Sequence, residues 1–280
     1  MQRDDISIEP TSIKGLRPTS TLFAALHGDL MLHSWWDPVA AESDAYSLFV
    51  ARSAAMGWLA DAAENGVCGF WGMNDAGRDL VSQSQPPRVA WFQVSLTEPI
   101  PADQPLPVQP FLACAGDVVA RMGKLRLEAV QVLLPVQCLP APSGIDAVWT
   151  LLRSIGWFAD GNPHLSTPVR ATLDGGQSPS IRSAAPRIFQ WMREVKQDVF
   201  ACDSFSLMDD PVLLKPAVID ELWLGPAHHR VTFHGTLAEW SLDAVGWLAA
   251  FLASASSQHG VSTPLMLTVS RAERPVSRVE

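Results

Sequence analysis

The feature that most constrains this chain is a strand-helix-strand pattern that returns along its length. From Leu30 to Ala63 the sequence reads LMLHSWWDPVAAESDAYSLFVARSAAMGWLADAA. An apolar run ends in Trp35 and Trp36 and meets Asp37-Pro38. Proline has no N–H to give to a ladder, so the strand is expected to stop there. Ala45, Leu48, Phe49, Met56, Leu59 and Ala63 then recur at steps of three and four, the spacing of one helix face, and Ser43 is placed to cap the first turn. Val67 to Met73 reads as the returning strand.

The same grammar continues. Asn74 to Arg88 reads as a loop, Val89 to Leu96 as a strand, and Pro99 to Pro110 as a proline-rich connection without regular structure. Phe111, Ala115, Val118 and Met122 mark a helix face, and Leu125 to Val136 a long strand. The first half is therefore β-α-β-β-α-β. A break follows at Gln137 to Gly144. Beyond it Ser143 and Asp146 resemble a capping box in front of a short linking helix through Val148, Leu151, Leu152 and Ile155.

The order then restarts. Pro168 to Leu173 is a strand, Asp174-Gly175-Gly176 its turn, and Ile188, Trp191, Met192, Val195 and Val199 a helical stripe. Phe200 to Met208 is the returning strand, and Leu222 to Leu224 with Arg230 to Leu237 a further strand or hairpin. Ser241 caps a last helix and Pro264 to Ser270 closes the set. Element order matches Trp36-Asp37 to Leu173-Asp174, Phe70–Met73 to Phe205–Met208, and Val89–Leu96 to Val231–Leu237.

The fold class expected is α+β, with two tandem ferredoxin-like halves whose antiparallel sheets carry helices on their faces and meet side by side or face to face. Residues 1–20 form an N-terminal arm with a possible strand at Ile6 to Ile8. Residues 21–140 form the first half, and 141–280 the second half with its linking helix.

Charge and motifs then bound the function. The 29 acidic residues exceed the 20 basic ones, giving a net charge of -9. Such a field repels phosphate backbones and attracts a basic partner, so direct nucleic-acid binding is not expected. Met1 to Pro10 carries acids and no apolar core of a secretory signal, and no apolar run reaches the roughly 18 residues of a membrane span. A cytoplasmic protein that engages no membrane is expected. Cys68, Cys114, Cys138 and Cys202 lack the close spacing of metal or redox motifs and read as buried reduced thiols.

His228 and His234 share a strand face but would stand about 20 Å apart at 3.3 Å per residue, too far for one ion, so neither metal nor cofactor is expected. No nucleophile elbow, phosphate loop or dinucleotide fingerprint occurs, and no catalytic residue is assigned.

The segment HSWWDPVAAESDAYSLFVARSAAMGWLAD resembles the N-terminal signature of the TsiT-like immunity proteins of bacterial type VI secretion and polymorphic toxin systems. The residues that carry the resemblance are Trp35, Trp36, Asp37, Pro38, Glu42 and Ser43, with Trp58 near the helix end. It implies a protein that binds a cognate nuclease-type effector toxin and blocks its basic cleft. On charge and loop position the partner-binding surface would comprise Asp37, Glu42 and Asp44 in the first half and Asp209, Asp210, Asp220 and Glu221 in the second. Trp36 joins them as an anchor, or else belongs to the core. The rival expectation is a tandem α+β-barrel oxygenase or cyclase whose pocket for an aromatic molecule would use His33, Trp35, Trp91 and His234. A structural or scaffolding role is a third.

Overall fold

The computed structural model describes residues 20–36, 44–60, 69–79, 84–97, 99–140, 145–159, 165–208 and 214–272. Apolar alternation and β-branched residues produce eight strands: β1 (Thr21–Leu32), β2 (Trp71–Gly77), β3 (Arg88–Leu96), β4 (Gly123–Leu134), β5 (Thr167–Asp174), β6 (Phe200–Ser206), β7 (Arg230–Leu237) and β8 (Leu265–Arg271). They form one antiparallel sheet in the order β2-β3-β1-β4-β8-β5-β7-β6. The two sets of four strands thus meet side by side, through β4 and β8. The α-helices among the described residues are α1 (Ala45–Ala55), α2 (Val108–Met122), α3 (Ile145–Arg153), the single turn α4 (Gly156–Ala159), α5 (Ser180–Glu194) and α6 (Leu242–Gln258).

Strand parity assigns the two faces. On β1, Leu22, Ala24 and Leu26 join the large core beneath the helices, while Phe23 and Ala25 belong to a second, smaller cluster on the opposite, rear face. The large core is continuous across all eight strands, and α6 lies in its middle with Ala244 to Ser257 buried throughout. Gly246 matters here because a methyl group would stand 2.7 Å from the Gln109 Cα, so its absence lets α6 and α2 approach.

The ladder registers show a residue-level correspondence between the two sets of strands. Ala24 of β1 lies between Phe92 and Val132, and Ala171 of β5 between Phe233 and Val269. Trp71 begins edge strand β2 opposite Leu96, and Phe200 begins edge strand β6 opposite Leu237. Each edge strand then carries its irregularity at the fourth residue, Asn74 and Asp203. A bulge twists an edge away from pairing with another chain, so the two free edges are blunted in the same manner. By the same registers Gln131 and Thr268 are equivalents, and they face each other across the β4–β8 seam. A local two-fold relation therefore passes through that pair.

Several expectations are corrected. The first strand ends at Leu32, and the chain turns at Ser34 and Trp35 before reaching Trp36. The helix after it is capped by Asp44, whose carboxylate accepts from the Ser47 N–H at 2.6 Å; Ser43 lies outside the described residues. That helix stops at Ala55, leaving Met56 exposed and Leu59 in an isolated bridge with Trp71. The returning strand is Trp71–Gly77 rather than Val67 to Met73, so it consumes part of the anticipated loop. Within the proline-rich stretch α2 already begins at Val108, because Pro110 sits in the first turn, where its missing N–H has no helical partner to lose.

Leu222 to Leu224, expected as a strand or half of a hairpin, is instead the end of a 3-10 turn, Asp220–Leu222, followed by a turn at Trp223 and Leu224. Trp71 corresponds to Phe200, which displaces the match of Phe70–Met73 to Phe205–Met208. Cys138 and Cys202 are only half-buried, whereas Cys114 is buried; Cys68 lies outside the described residues. The possible strand at Ile6 to Ile8 also lies outside them.

Candidate partner-binding surface

β1 outruns its neighbour. Its pairing with β3 ends at His27–Arg88, whereas pairing with β4 continues from Gly28–Leu127 to Leu32–Gly123. Gly28 makes this possible: its φ is +148°, and a Cβ there would collide with the Arg126 carbonyl at 2.1 Å. Beyond the irregularity the β1–β4 ribbon projects, with Asp29 ion-paired to Arg126.

The tip of this ribbon exposes large apolar groups. Met31 is 68% exposed and Trp35 65%, and Leu32 is also exposed. His33 stacks on Trp35 with ring centroids 5.1 Å apart and planes 12° from parallel, and Trp36 meets Trp35 edge-on at 6.2 Å. The group is fixed from below. The His33 N–H donates to the Met122 carbonyl at 3.0 Å, the Trp36 N–H to the His33 carbonyl at 3.0 Å, and His33 Nε2 lies 3.2 Å from the Ala120 carbonyl. Beside it runs an open groove of about 450 Å³ lined by His33, Gly123, Leu125, Leu127, Trp240 and Leu242. A rigid, exposed indole beside an apolar groove is the kind of anchor that protein interfaces use.

Trp36 is half-buried and packs against the large core, so the core alternative left open for it describes its contacts, although its ring also supports Trp35. Asp44 is exposed at the start of α1. Asp220 and Glu221 are exposed on the 3-10 turn of the β6–β7 connection, which covers the rear face. The two described acidic sites therefore sit on opposite sides of the sheet. Asp37, Glu42, Asp209 and Asp210 lie outside the described residues.

The groups of the rival pocket do not converge. Trp91 on β3 and His234 on β7 are five strands apart, about 24 Å at 4.8 Å per strand, and His33 with Trp35 lies past the end of β1. Among the described residues no group of three His, Cys, Asp or Glu side chains is placed to hold a metal ion, and His228 stacks edge-on against His229 at 4.5 Å. Burial pushes the Cys114 thiol up to about 11 and that of Cys202 up to about 12, so neither is a thiolate at neutral pH. Among the described residues no helix is long and apolar enough to cross a membrane.

The reading of the sequence missed the rear face. The β6–β7 connection, described from residue 214 to 229, lies there as a strap. Trp223, Leu222, Val218 and Ala217 pack on Phe23, Trp91, Leu133 and Met266. Gln131 Nε2 donates to the strap carbonyls of Leu214 at 3.4 Å and Lys215 at 3.1 Å, and to Thr268 Oγ1 at 3.4 Å. Arg88, itself paired with Asp79 at 2.7 Å, donates to the Ala217 carbonyl at 3.3 Å. The strap's only trace in the sequence is His27 and Gln131 within the largely apolar stretches LFAALHGDL and EAVQVLLPV, too little to distinguish a covered face from a wet one.

No protein-family model, curated protein or solved structure matches the chain.

Proposed function

We propose that the protein is an immunity-type binding protein: it holds a cognate nuclease-type effector toxin and occludes its basic cleft, acting as a surface rather than as a catalyst. The observation that carries this reading is the exposed Trp35, buttressed by His33 and Trp36 and flanked by Met31 and Leu32. Keeping so large an indole in water costs solubility unless a partner covers it. The excess of acidic residues supports a basic partner, since opposite fields speed encounter and fix orientation. Trp36 and Asp44 belong to the same end of the molecule and extend the contact, with Asp37 and Glu42 from the intervening sequence. Asp220 and Glu221 contribute to steering from the other side, and Asp209 and Asp210 join the proposed acidic set on charge alone.

We read the two sets of four strands as tandem ferredoxin-like halves. The repeated strand order, the matching edge irregularities and the Phe-Ala-Val triplets support that reading. A type VI secretion context and a cytoplasmic site of action follow from the same proposal.

The test is co-expression with the partner toxin. The intact protein is expected to suppress nuclease toxicity and to form a stoichiometric complex. Trp35→Ala is expected to weaken that complex by about 2 kcal/mol, roughly 30-fold, without loss of fold stability, as for an interface anchor. Equal affinity of Trp35→Ala and wild type would remove this surface from the interface.

A further inference from the structure

We propose that the outer edge of β1 at Leu30 and Leu32 is a strand-addition site, which takes an extended segment of the partner toxin in the lane that β3 vacates; the inference rests on the proposed function and says how that partner is gripped. β3 stops beside His27, and the Gly28 N–H donates to the Pro87 carbonyl at 2.9 Å as the last bond on that side among the described residues. Pro86 and Pro87 have no N–H with which to continue the ladder, and the Pro86 carbonyl already turns toward His27 Nδ1, 3.3 Å away on the rear face. β5, the counterpart of β1, ends in its turn at the equivalent point, Asp174 opposite Arg230, whereas β1 runs on to Leu32 paired with β4 alone.

Two bonds fix the direction of the backbone groups. Gly28 gives its N–H to the β3 side, His33 gives its N–H to the Met122 carbonyl at 3.0 Å on the β4 side, and the β1–β4 register is regular from Gly28 to Leu32. Alternate residues of a strand point their N–H and C=O to opposite edges, so those of Leu30 and Leu32 face away from β4. Among the described residues they meet no hydrogen-bond partner. A groove of about 380 Å³ lies along this edge, lined by Leu30, Leu32, Val89, Arg78, Asp79 and Arg88. Paired N–H and C=O groups repeating at about 6.8 Å are a template that an extended backbone fits.

β4 shows which side chains the other edge of this strand accepts. Leu125 and Leu127 pack with Leu30 on the large core, while Lys124 and Arg126 take the opposite face, where Arg126 pairs with Asp29. A strand on the free edge meets the same two faces, so its apolar residues lie beside Leu30 and Val89 and alternate with basic ones on the face of Asp29. The rim mixes Arg78 with the ion pair of Arg88 and Asp79, so local charge does not choose the occupant. The net charge of -9 does: it favours a basic segment and opposes a second copy of this chain.

The experiment follows amide exchange of the full chain by NMR, with the end-capped heptapeptide GKLRLEA, the sequence of residues 123–129, as the probe strand. Without peptide the Leu30 and Leu32 amides are expected to exchange as open ones while the His33 amide is protected. At about 5 mM peptide the first two are expected to slow about fivefold, the occupancy of a complex of about millimolar affinity, with His33 unchanged. Leu32→Pro removes one free-edge N–H and fills the lane with its ring, and is expected to abolish the slowing at Leu30. Protection of the two amides without peptide, no slowing with it, or slowing that persists in Leu32→Pro overturns the proposal. If Leu32→Pro loses protection at His33 the ribbon has come apart, and the wild-type amides alone decide. Protection that grows with protein concentration, together with a sedimenting dimer, assigns the edge to a second copy and also overturns it. No toxin enters this experiment, so its failure leaves the toxin-suppression test to stand or fall by itself.

Discussion

Individual residues do unequal work in this fold, and Asp174 does the most among the acids. It is 3% exposed and is satisfied from three directions: Arg230 Nε at 2.6 Å, the Gly176 N–H at 2.8 Å and the His228 N–H at 3.3 Å. Asp174→Ala strands the arginine and two amides, and is expected to cost about 3 kcal/mol in urea unfolding. Leu224 holds a φ of +69°, a region that costs a side-chain-bearing residue about 1 kcal/mol; Leu224→Gly is expected to raise stability by up to that amount in the same assay. The Asp174-Gly175-Gly176 turn was legible in the sequence because its residue types have few other uses: Gly176 has φ +58° and no room for a Cβ, which would lie 2.2 Å from the Leu224 carbonyl. His27 and Gln131 were not legible, since a lone polar residue in an apolar run reads the same whether it faces water or a strap.

Elements with strong periodicity were readable, and their ends were not. The stripe Phe111, Ala115, Val118 and Met122 is buried in α2 as its spacing required, and the run Ala244 to Ala255 is the buried α6. Boundaries moved where a local rule met a tertiary contact. β1 stops at Leu32 although Trp35 and Trp36 continue the apolar run, because the β1–β4 ladder ends at Gly123. Pro186 lies inside α5, and the helix continues past it because Ala184, Ala185, Ile188 and Met192 are buried against the core. The strap could not be anticipated, since a connection that packs by a few apolar side chains has no period. Its anchor is Trp223, fully buried. Trp223→Ala is expected to lower the strap's opening free energy by about 3 kcal/mol, seen as faster hydrogen exchange over residues 214–229 with the central ladders still protected.

At the scale of the whole molecule, the repeated order of elements was legible, but the residue correspondence was not, because the matching positions are set by cross-strand register and drift along the chain. The Phe-Ala-Val triplets appear only when β3, β1 and β4 are placed beside β7, β5 and β8. One sheet and one core shared through α6 predict a single urea transition with coincident tryptophan fluorescence and circular dichroism; two separated transitions would show that the halves fold independently. Charge belongs to this scale too. Asp220→Lys with Glu221→Lys is expected to slow association with a basic toxin and flatten its salt dependence without changing the fold, measured as on-rates at several ionic strengths. The central claim, that the exposed end of β1 binds and silences a toxin, is tested most directly by measuring survival of cells that co-express the partner nuclease with wild type or with Trp35→Ala. The account predicts survival with wild type and loss of protection with an equally stable Trp35→Ala; equal protection by both, or protection by neither, would contradict it.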